Sequence, residues 1–223
     1  MMTEGPANKH QLRTERSTNA LLEAASDLIV EGGFASLTFT TIGERAGYSR
    51  GLVTARFGSK DGLIQALIDR IVTTWSHRNV LPRTSGVAGL EGVTTLLDAI
   101  HRQATVDPRG LRVLYSLMFE ALGPDEALRS RFAKFHHGMR TDFADVIDAG
   151  RRDGSIGEGI DPRREAELIV AGLRGIGYQW LLDPEEVDLA AALQHLVDTT
   201  RRRLAADADG TRSPPTTRQG PQP

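Results

Sequence analysis

The fold is decided by residues 38–57, which read TFTTIGERAGYSRGLVTARF. Thr38 and Ser49 each stand at an N-cap position, before a short run with apolar residues at helical spacing. Gly47 lies between the two runs and can adopt the positive φ that a tight turn requires. The spacing therefore predicts a helix-turn-helix, in which the second short helix covers residues 50–57.

Longer helices are predicted on both sides of this motif. From Thr18 onward, apolar residues recur at helical spacing until Gly33, where a helix should end. A fourth helix is predicted from residue 61 to about residue 75, with Lys60 just before its start. The segment that follows, residues 81–92, is rich in Pro and Gly and is the expected boundary between two domains.

The remaining chain repeats the helical pattern and shows no run of alternating β-branched residues. Helices are predicted at about 93–104, 109–122, 125–152, 162–182 and 184–205. The expected fold is all-α, about nine helices in total, with an N-terminal three-helix helix-turn-helix domain and a C-terminal helical bundle. The expected divisions are a flexible arm at 1–14, a helix-turn-helix domain at 15–60, a second helical domain at 61–205 and a disordered tail at 206–223.

Composition excludes several classes of protein. The 223 residues are 39% hydrophobic and 25% charged and include no cysteine, so disulfides, thiolate nucleophiles and iron–sulfur clusters are excluded. No apolar run approaches the ~20 residues of a membrane-spanning helix, and no secretory signal is recognisable near the start. We therefore expect a cytoplasmic protein with no membrane partner.

Catalytic chemistry has no candidate in the sequence. There is no nucleophile elbow, no phosphate-binding loop and no H-E-x-x-H pattern, so we expect no enzyme activity and no cofactor. His136 and His137 are adjacent and point to different sides of a helix, and His101 stands alone, which argues against a metal site.

Nucleic-acid binding would have to use a local basic patch, because the formal net charge of the chain is −2. Such a patch is present at the helix-turn-helix. Arg50, Arg56 and Lys60 lie there with a single nearby acid, Glu44. The free N–H groups of the helix that Ser49 caps would face phosphates.

Three segments, in order and spacing, resemble the N-terminal part of the TetR family of transcriptional regulators: residues 31–34 (EGGF), 42–51 (IGERAGYSRG) and 57–63 (FGSKDGL). The similarity is continuous over roughly a quarter of the chain. Thr54 departs from it, since an aromatic residue is usual there, and so does Thr40, where a basic residue is common. The DNA-contacting residues that the resemblance and the basic patch imply are Thr38, Thr40, Ser49, Arg50, Gly51, Leu52, Thr54, Arg56 and Lys60.

The same resemblance implies that residues 15–60 are a DNA-binding domain and that residues 61–205 are a ligand-binding and dimerisation domain, which binds a small-molecule effector. Aromatic residues and methionines at helical spacing are more often ordinary packing, and only the resemblance favours a pocket there. The pocket residues so implied are Tyr115, Met118, Phe119, Met139, Phe143 and Tyr178. Glycines that weaken a helix suggest close approach to a partner, and the expected dimer interface is Gly172, Gly175, Leu189, Leu193 and Leu196.

The resulting hypothesis is a homodimer that binds double-stranded operator DNA, most often as a repressor, and is released by an unidentified small molecule. The alternative is a small-molecule-binding or scaffold protein whose helix-turn-helix no longer reads DNA.

Overall fold

The computed structural model describes residues 6–75, 87 and 89–206, and within them the chain forms helices but no β-strand. The all-α prediction is confirmed. No helix in this described part is long and apolar enough to cross a membrane. The helices are α1 (Pro6–Gly32), α2 (Phe39–Ala46), α3 (Arg50–Phe57), α4 (Lys60–Trp75), α5 (Gly89–Val106), α6 (Pro108–Glu120), α7 (Glu126–Asp153), α8 (Pro162–Leu182) and α9 (Leu189–Leu204), with one turn of 3-10 helix at Phe34–Ser36.

The four N-terminal helices share one apolar core. Leu21, Ile42, Val53 and Leu63, one from each helix, are completely buried at its centre. Burial of such a side chain stabilises the fold by ~1.5–3 kcal/mol. The same core continues into α6 through Leu117, so the N-terminal domain is fused to the rest of the molecule by packing.

A second core lies among α5, α7, α8 and α9 and forms the C-terminal bundle. Four helices of this part, α6 to α9, begin at an aspartate whose carboxylate accepts backbone N–H groups of the first turn. Two of them also have proline in the first turn, where the missing N–H costs nothing. The capping residues are Asp107, Asp125, Asp161 and Asp188.

Some predicted boundaries are wrong. Residues 6–14, expected to be a flexible arm, form the first turns of α1, where the Gln11 side chain donates to Glu15 one turn later at 3.0 Å. The last helix, predicted to begin at residue 184, begins at Leu189. Asp188 caps it there, because its carboxylate accepts the Ala191 N–H.

The predicted domain boundary at 81–92 also overlaps a helix. Gly89 and Gly92 lie inside α5, and a Cβ on Gly92 would come 2.6 Å from Val146 Cγ1 of α7. This glycine therefore serves the close approach of two helices and does not mark a linker. Residues 76–86 lie outside the described residues, and so do residues 207–223 of the disordered tail predicted at 206–223.

Candidate DNA-binding surface and ligand cavity

The helix-turn-helix is held at a fixed angle by contacts across its turn. Gly47 has φ of 73° and ends α2, as predicted. The Tyr48 N–H donates to the Gly43 carbonyl at 2.8 Å, and a Cβ on Gly43 would lie only 2.7 Å from the Tyr48 oxygen. The angle of α3 to α2 thus depends on the absence of a side chain at Gly43.

Caps start both short helices where the sequence predicts them. The Thr41 N–H donates to Thr38 Oγ1 at 3.1 Å, and the Leu52 N–H donates to Ser49 Oγ at 3.2 Å. The N-terminus of α3 is exposed, so its positive end is available to an anion.

Four of the nine predicted DNA contacts line a single shallow depression beside α3: Thr38, Thr40, Arg50 and Lys60. Because DNA contact is predicted for all four residues, we call them the DNA-binding surface. All four are exposed. Lys60 is held there by Phe34, whose ring centroid lies 4.0 Å from Nζ. Two hydroxyls and two cations in one depression are suited to phosphate oxygens.

The other five predicted contacts are placed differently. Ser49, Gly51 and Thr54 are exposed along α3, whereas Leu52 packs partly against the N-terminal core. The guanidinium of Arg56 turns to α1, where Nη2 donates to Thr14 Oγ1 at 3.3 Å and to Ser17 Oγ at 3.4 Å. Arg56 therefore supports the placement of α3 on α1 and stays outside the DNA-binding surface.

A cavity of about 480 Å³ lies between the N-terminal helices and the C-terminal bundle. Its walls come from α1 and α4 on one side and from α5 to α9 on the other. The apolar lining includes Ile71, Ile100, Leu111, Leu114, Phe135 and Leu173. A space of this size suits a small organic molecule.

Only Met139 of the six predicted pocket residues lines this cavity. Tyr115 and Phe143 are buried in packing elsewhere, and Met118 packs against the N-terminal core. Phe119 and Tyr178 are 48% and 44% exposed, with ring centroids 5.7 Å apart on the outside of the molecule. The face of α6 that meets the cavity carries Leu111 and Leu114 rather than the aromatic residues.

The predicted dimer residues are mostly occupied within the subunit. Leu189 and Leu193 are 7% and 4% exposed and line the cavity. A Cβ on Gly172 would lie 3.0 Å from Leu196 Cδ1, so these two residues serve the packing of α8 on α9. Gly175 alone has open space beside it.

The outward face of α8 carries a stripe of small and apolar residues, of which the sequence analysis assigned only Gly175 to the dimer interface: Leu168, Ala171, Gly175, Tyr178 and Leu182. Leu168 and Leu182 are 50% and 68% exposed. The missed signal is their own helical spacing, which places all five on one side of the helix.

Ion pairs tie α1 to α4 and α6 at the edge of the cavity. Glu23 of α1 accepts from Arg70 of α4 and from Arg109 of α6, both at 2.7 Å, and Arg109 also pairs with Asp27 at 2.6 Å. Partial burial acts to raise the pKa of Glu23, but the hydrogen bond from Arg109 and the charge of Arg70 outweigh it and the pKa is lowered. These contacts join α1 and α4 to the wall of the cavity.

His136 stands near the cavity as a neutral group. Burial, together with the charges of Arg174 and Arg140, lowers its pKa to about 4. Across the described residues, no three His, Asp or Glu side chains are grouped so that they could hold a metal ion.

Comparison with known proteins agrees with this architecture. Residues 21–67 match the bacterial regulatory proteins of the tetR family, and residues 90–205 match the C-terminal domain of BetI-type transcriptional repressors. The HTH-type transcriptional regulator TtgR of Pseudomonas putida is 29% identical over 189 residues, which cover 80% of this chain and 87% of TtgR.

Solved structures share the whole fold. SmeT of Stenotrophomonas maltophilia, in complex with triclosan, has a TM-score of 0.75 at 20% identity and covers 93% of this chain and 99% of its own. A transcriptional regulator from Saccharomonospora viridis in complex with choline has a TM-score of 0.74 at 19% identity, covering 86% and 98%. With both domains matched, this chain belongs to the tetR family and is a DNA-binding transcriptional regulator with a C-terminal domain of the BetI repressor type.

Proposed function

We propose that this protein is a homodimeric repressor that leaves a near-palindromic operator when a small organic molecule enters the cavity. One observation carries the proposal: residues of α1 and α4, helices of the DNA-binding part, line the same cavity as residues of the C-terminal bundle. It acts as a regulator rather than an enzyme, in the cytoplasm where it meets DNA.

The link from cavity to DNA runs through α4. This helix starts at Lys60 on the DNA-binding surface and presents Arg70 and Ile71 to the cavity. Arg70 is fixed to α1 by Glu23 and by Ser26, whose hydroxyl accepts from Nη2 at 3.1 Å. A molecule that displaces Arg70 would therefore shift α4 and disturb its contacts with α1, whose Glu23 also holds Arg109 of α6.

Dimerisation through the outward stripe of α8 would place two copies of α3 in successive major grooves. Gly51 and Leu52 would then lie near base edges, whereas Arg50 and Lys60 would contact the backbone. Repositioning of the two α3 helices would separate them beyond the groove spacing, and operator affinity would fall.

The test starts with selection of a binding sequence from random DNA by the purified protein. A two-fold symmetric consensus bound with strong salt dependence is expected, because phosphate contacts release counterions. Weak binding without sequence preference would instead support a scaffold protein with a degenerate helix-turn-helix.

The second stage screens a library of neutral, cationic and anionic compounds, triclosan and choline included, for release of that DNA. Coupling must be reciprocal, so the operator should weaken effector binding by the same factor, typically ~5–150-fold. Equal effector affinity with and without DNA would overturn the switch.

A further inference from the structure

One charged side chain of the cavity is unlike the others. Arg174 of α8 lines the cavity, and its Nε is buried without any hydrogen-bond partner. Its Nη2 donates to the sulfur of Met139, at 2.8 Å, and sulfur is a weak acceptor. The guanidinium is otherwise flanked by aromatic rings, with the Phe135 centroid 5.5 Å away.

The remaining cations of the cavity wall are neutralised. Arg70 and Arg109 both pair with Glu23, and Arg109 pairs with Asp27 as well. No carboxylate of the described residues forms an ion pair with Arg174. The cavity therefore has one paired, partly exposed group of charges and one unneutralised cation.

The Arg174 guanidinium cannot avoid the energetic cost of its burial by losing a proton. Burial lowers the pKa of Arg174, which the Tyr115 hydroxyl offsets only in part, yet a guanidinium stays protonated at neutral pH. The adjacent His136 is neutral there and supplies neither a negative charge nor a second positive one. A buried charge without a partner destabilises the ligand-free protein, so an anion that reaches it would be bound strongly.

The surroundings restrict the anion further. The cavity holds about 480 Å³, far more than a carboxylate or phosphate group alone fills. Beside Arg174 the walls are apolar, formed by Phe135, Met139 and Leu173 from two helices of the bundle. A ligand suited to both features has one negative group and an apolar body.

We infer that the effector of this regulator is an amphipathic organic monoanion, a carboxylate on a hydrophobic body, whose negative group pairs with Arg174. The inference rests on the proposed function, since it assigns the ligand of the same cavity. The planar guanidinium provides two parallel donors for one carboxylate. The apolar body would then extend between α5, α6 and α9.

Calorimetric titration of the full-length dimer with matched probes tests the charge. Naphthaleneacetate, phenylbutyrate and decanoate are each compared with their primary amides, which have nearly the same shape and no charge. At least one carboxylate should bind ten times or more tightly than its amide. Acetate and phosphate serve as charged groups without an apolar body and should bind at least ten times more weakly than that carboxylate.

Substitutions at Arg174 test whether the preference for carboxylate over amide depends on this side chain. In Arg174→Gln the preference for carboxylate over amide should disappear, and Arg174→Lys should retain part of it. Arg140→Gln is the matched control, because it removes the same charge from α7 outside the cavity lining and should keep the preference. The unliganded Arg174→Gln protein should melt at the same or a higher temperature than the wild type, which also shows that it folds.

Four outcomes would overturn the inference: no carboxylate bound, no preference over the amides, a preference that survives Arg174→Gln, or acetate or phosphate bound as tightly as the larger carboxylates. Failure of the proposed function is a separate result. If neutral compounds release the DNA and carboxylates do not bind, the switch stands and the anion is wrong. If carboxylates bind at Arg174 without any effect on DNA, the anion site stands and the switch is wrong.

Discussion

Gly43 and Gly51, both in the helix-turn-helix, have opposite requirements for space. A Cβ at Gly43 would collide with the Tyr48 backbone oxygen, whereas at Gly51 it would meet only Ser49 Oγ at 3.7 Å. Gly43→Ala should lower the free energy of unfolding by ~1–3 kcal/mol through overpacking. Gly51→Ala should raise it by up to ~1 kcal/mol through helix propensity. Urea denaturation checks both, and equal effects of the two changes would contradict this account of the turn.

Lys60 tests the DNA-binding surface. If its ammonium only neutralises a phosphate, Lys60→Ala should weaken binding evenly across DNA sequences and reduce the salt slope by about one per half-site. Fluorescence anisotropy at several salt concentrations measures the slope. Lys134→Ala, an exposed lysine of α7, is the control. A Lys60 variant with the wild-type slope would remove this residue from the surface.

His136 should make stability depend on pH. Its pKa is about 4 in the folded protein and about 6.5 when unfolded, so the unfolded chain binds more protons between these values. Stability is complete above pH 6.5 and falls as pH decreases toward 4. The half-buried ring keeps part of its hydration, so we expect a loss of about 1–2 kcal/mol. Denaturation at pH 7.5 and 4.5 should show this loss in the wild type and in His137→Gln, an exposed neighbour, but not in His136→Gln.

For single residues, the sequence correctly predicted the features that depend only on neighbours nearby in the chain. The caps at Thr38 and Ser49 and the turn at Gly47 are local, and all three are confirmed. The orientation of Arg56 depends on a contact with Thr14 of α1, which is distant in the chain. The local sequence around Arg56 therefore could not predict it.

Between elements, Glu23 is the residue that fastens α1 to both α4 and α6. Its lowered pKa means that the carboxylate is favoured in the folded state, so its contribution is present above pH 4.5 and is lost as pH falls below that value. Glu23→Gln should lower the free energy of unfolding at pH 7 by ~1 kcal/mol or less, because the pairs are solvent-exposed. The difference from wild type should shrink as pH falls below 4.5 and the carboxylate becomes protonated.

Glu44→Gln is the matched control for this measurement. Glu44 is exposed on α2 and forms no ion pair with any residue in the described part of the chain. A loss of stability in this variant as large as that of Glu23→Gln would show that the ion pairs contribute nothing specific.

Helix ends followed from the sequence wherever a cap was present. Asp161 and Pro162 predicted the start of α8. A second Asp-Pro pair, directly after Leu182, predicted the end of the helix. The first turns of α1 were missed because they lack the apolar periodicity on which the prediction depended. Helices can extend past their buried face, and polar side-chain pairs then stabilise the extension.

At the scale of the whole molecule, we expect the exposed stripe of α8 to form the dimer interface. Leu168→Glu combined with Leu182→Glu would place four carboxylates in an isologous interface, where like charges repel. Sedimentation should show monomers, and operator affinity should fall because one α3 then binds alone. The circular dichroism spectrum should be unchanged, since both leucines are exposed in the subunit.

Val106→Glu is the control for the dimer prediction. Val106 is 82% exposed at the end of α5, away from the stripe, and its change to glutamate should leave the protein dimeric. A stable dimer in the double variant would place the interface elsewhere.

An effector pocket was predicted, but most of the residues that line the cavity were not. Its walls come from seven helices that are distant in the chain, and each helix contributes only two to five residues. No single helix therefore carries a pattern that predicts the cavity. Aromatic content pointed to Phe119 and Tyr178, which lie on the outside.

Different residues of the cavity wall would determine the affinity of a compound and its effect on DNA binding. Arg174 belongs to the bundle, whereas Arg70 and Ile71 belong to the helix that leads to DNA. A short anion would occupy the receptor without pressing on α4, and a longer one of the same head group would do both. The short compound would then be an antagonist, raising the dose of the longer inducer needed for derepression while leaving its maximal effect intact.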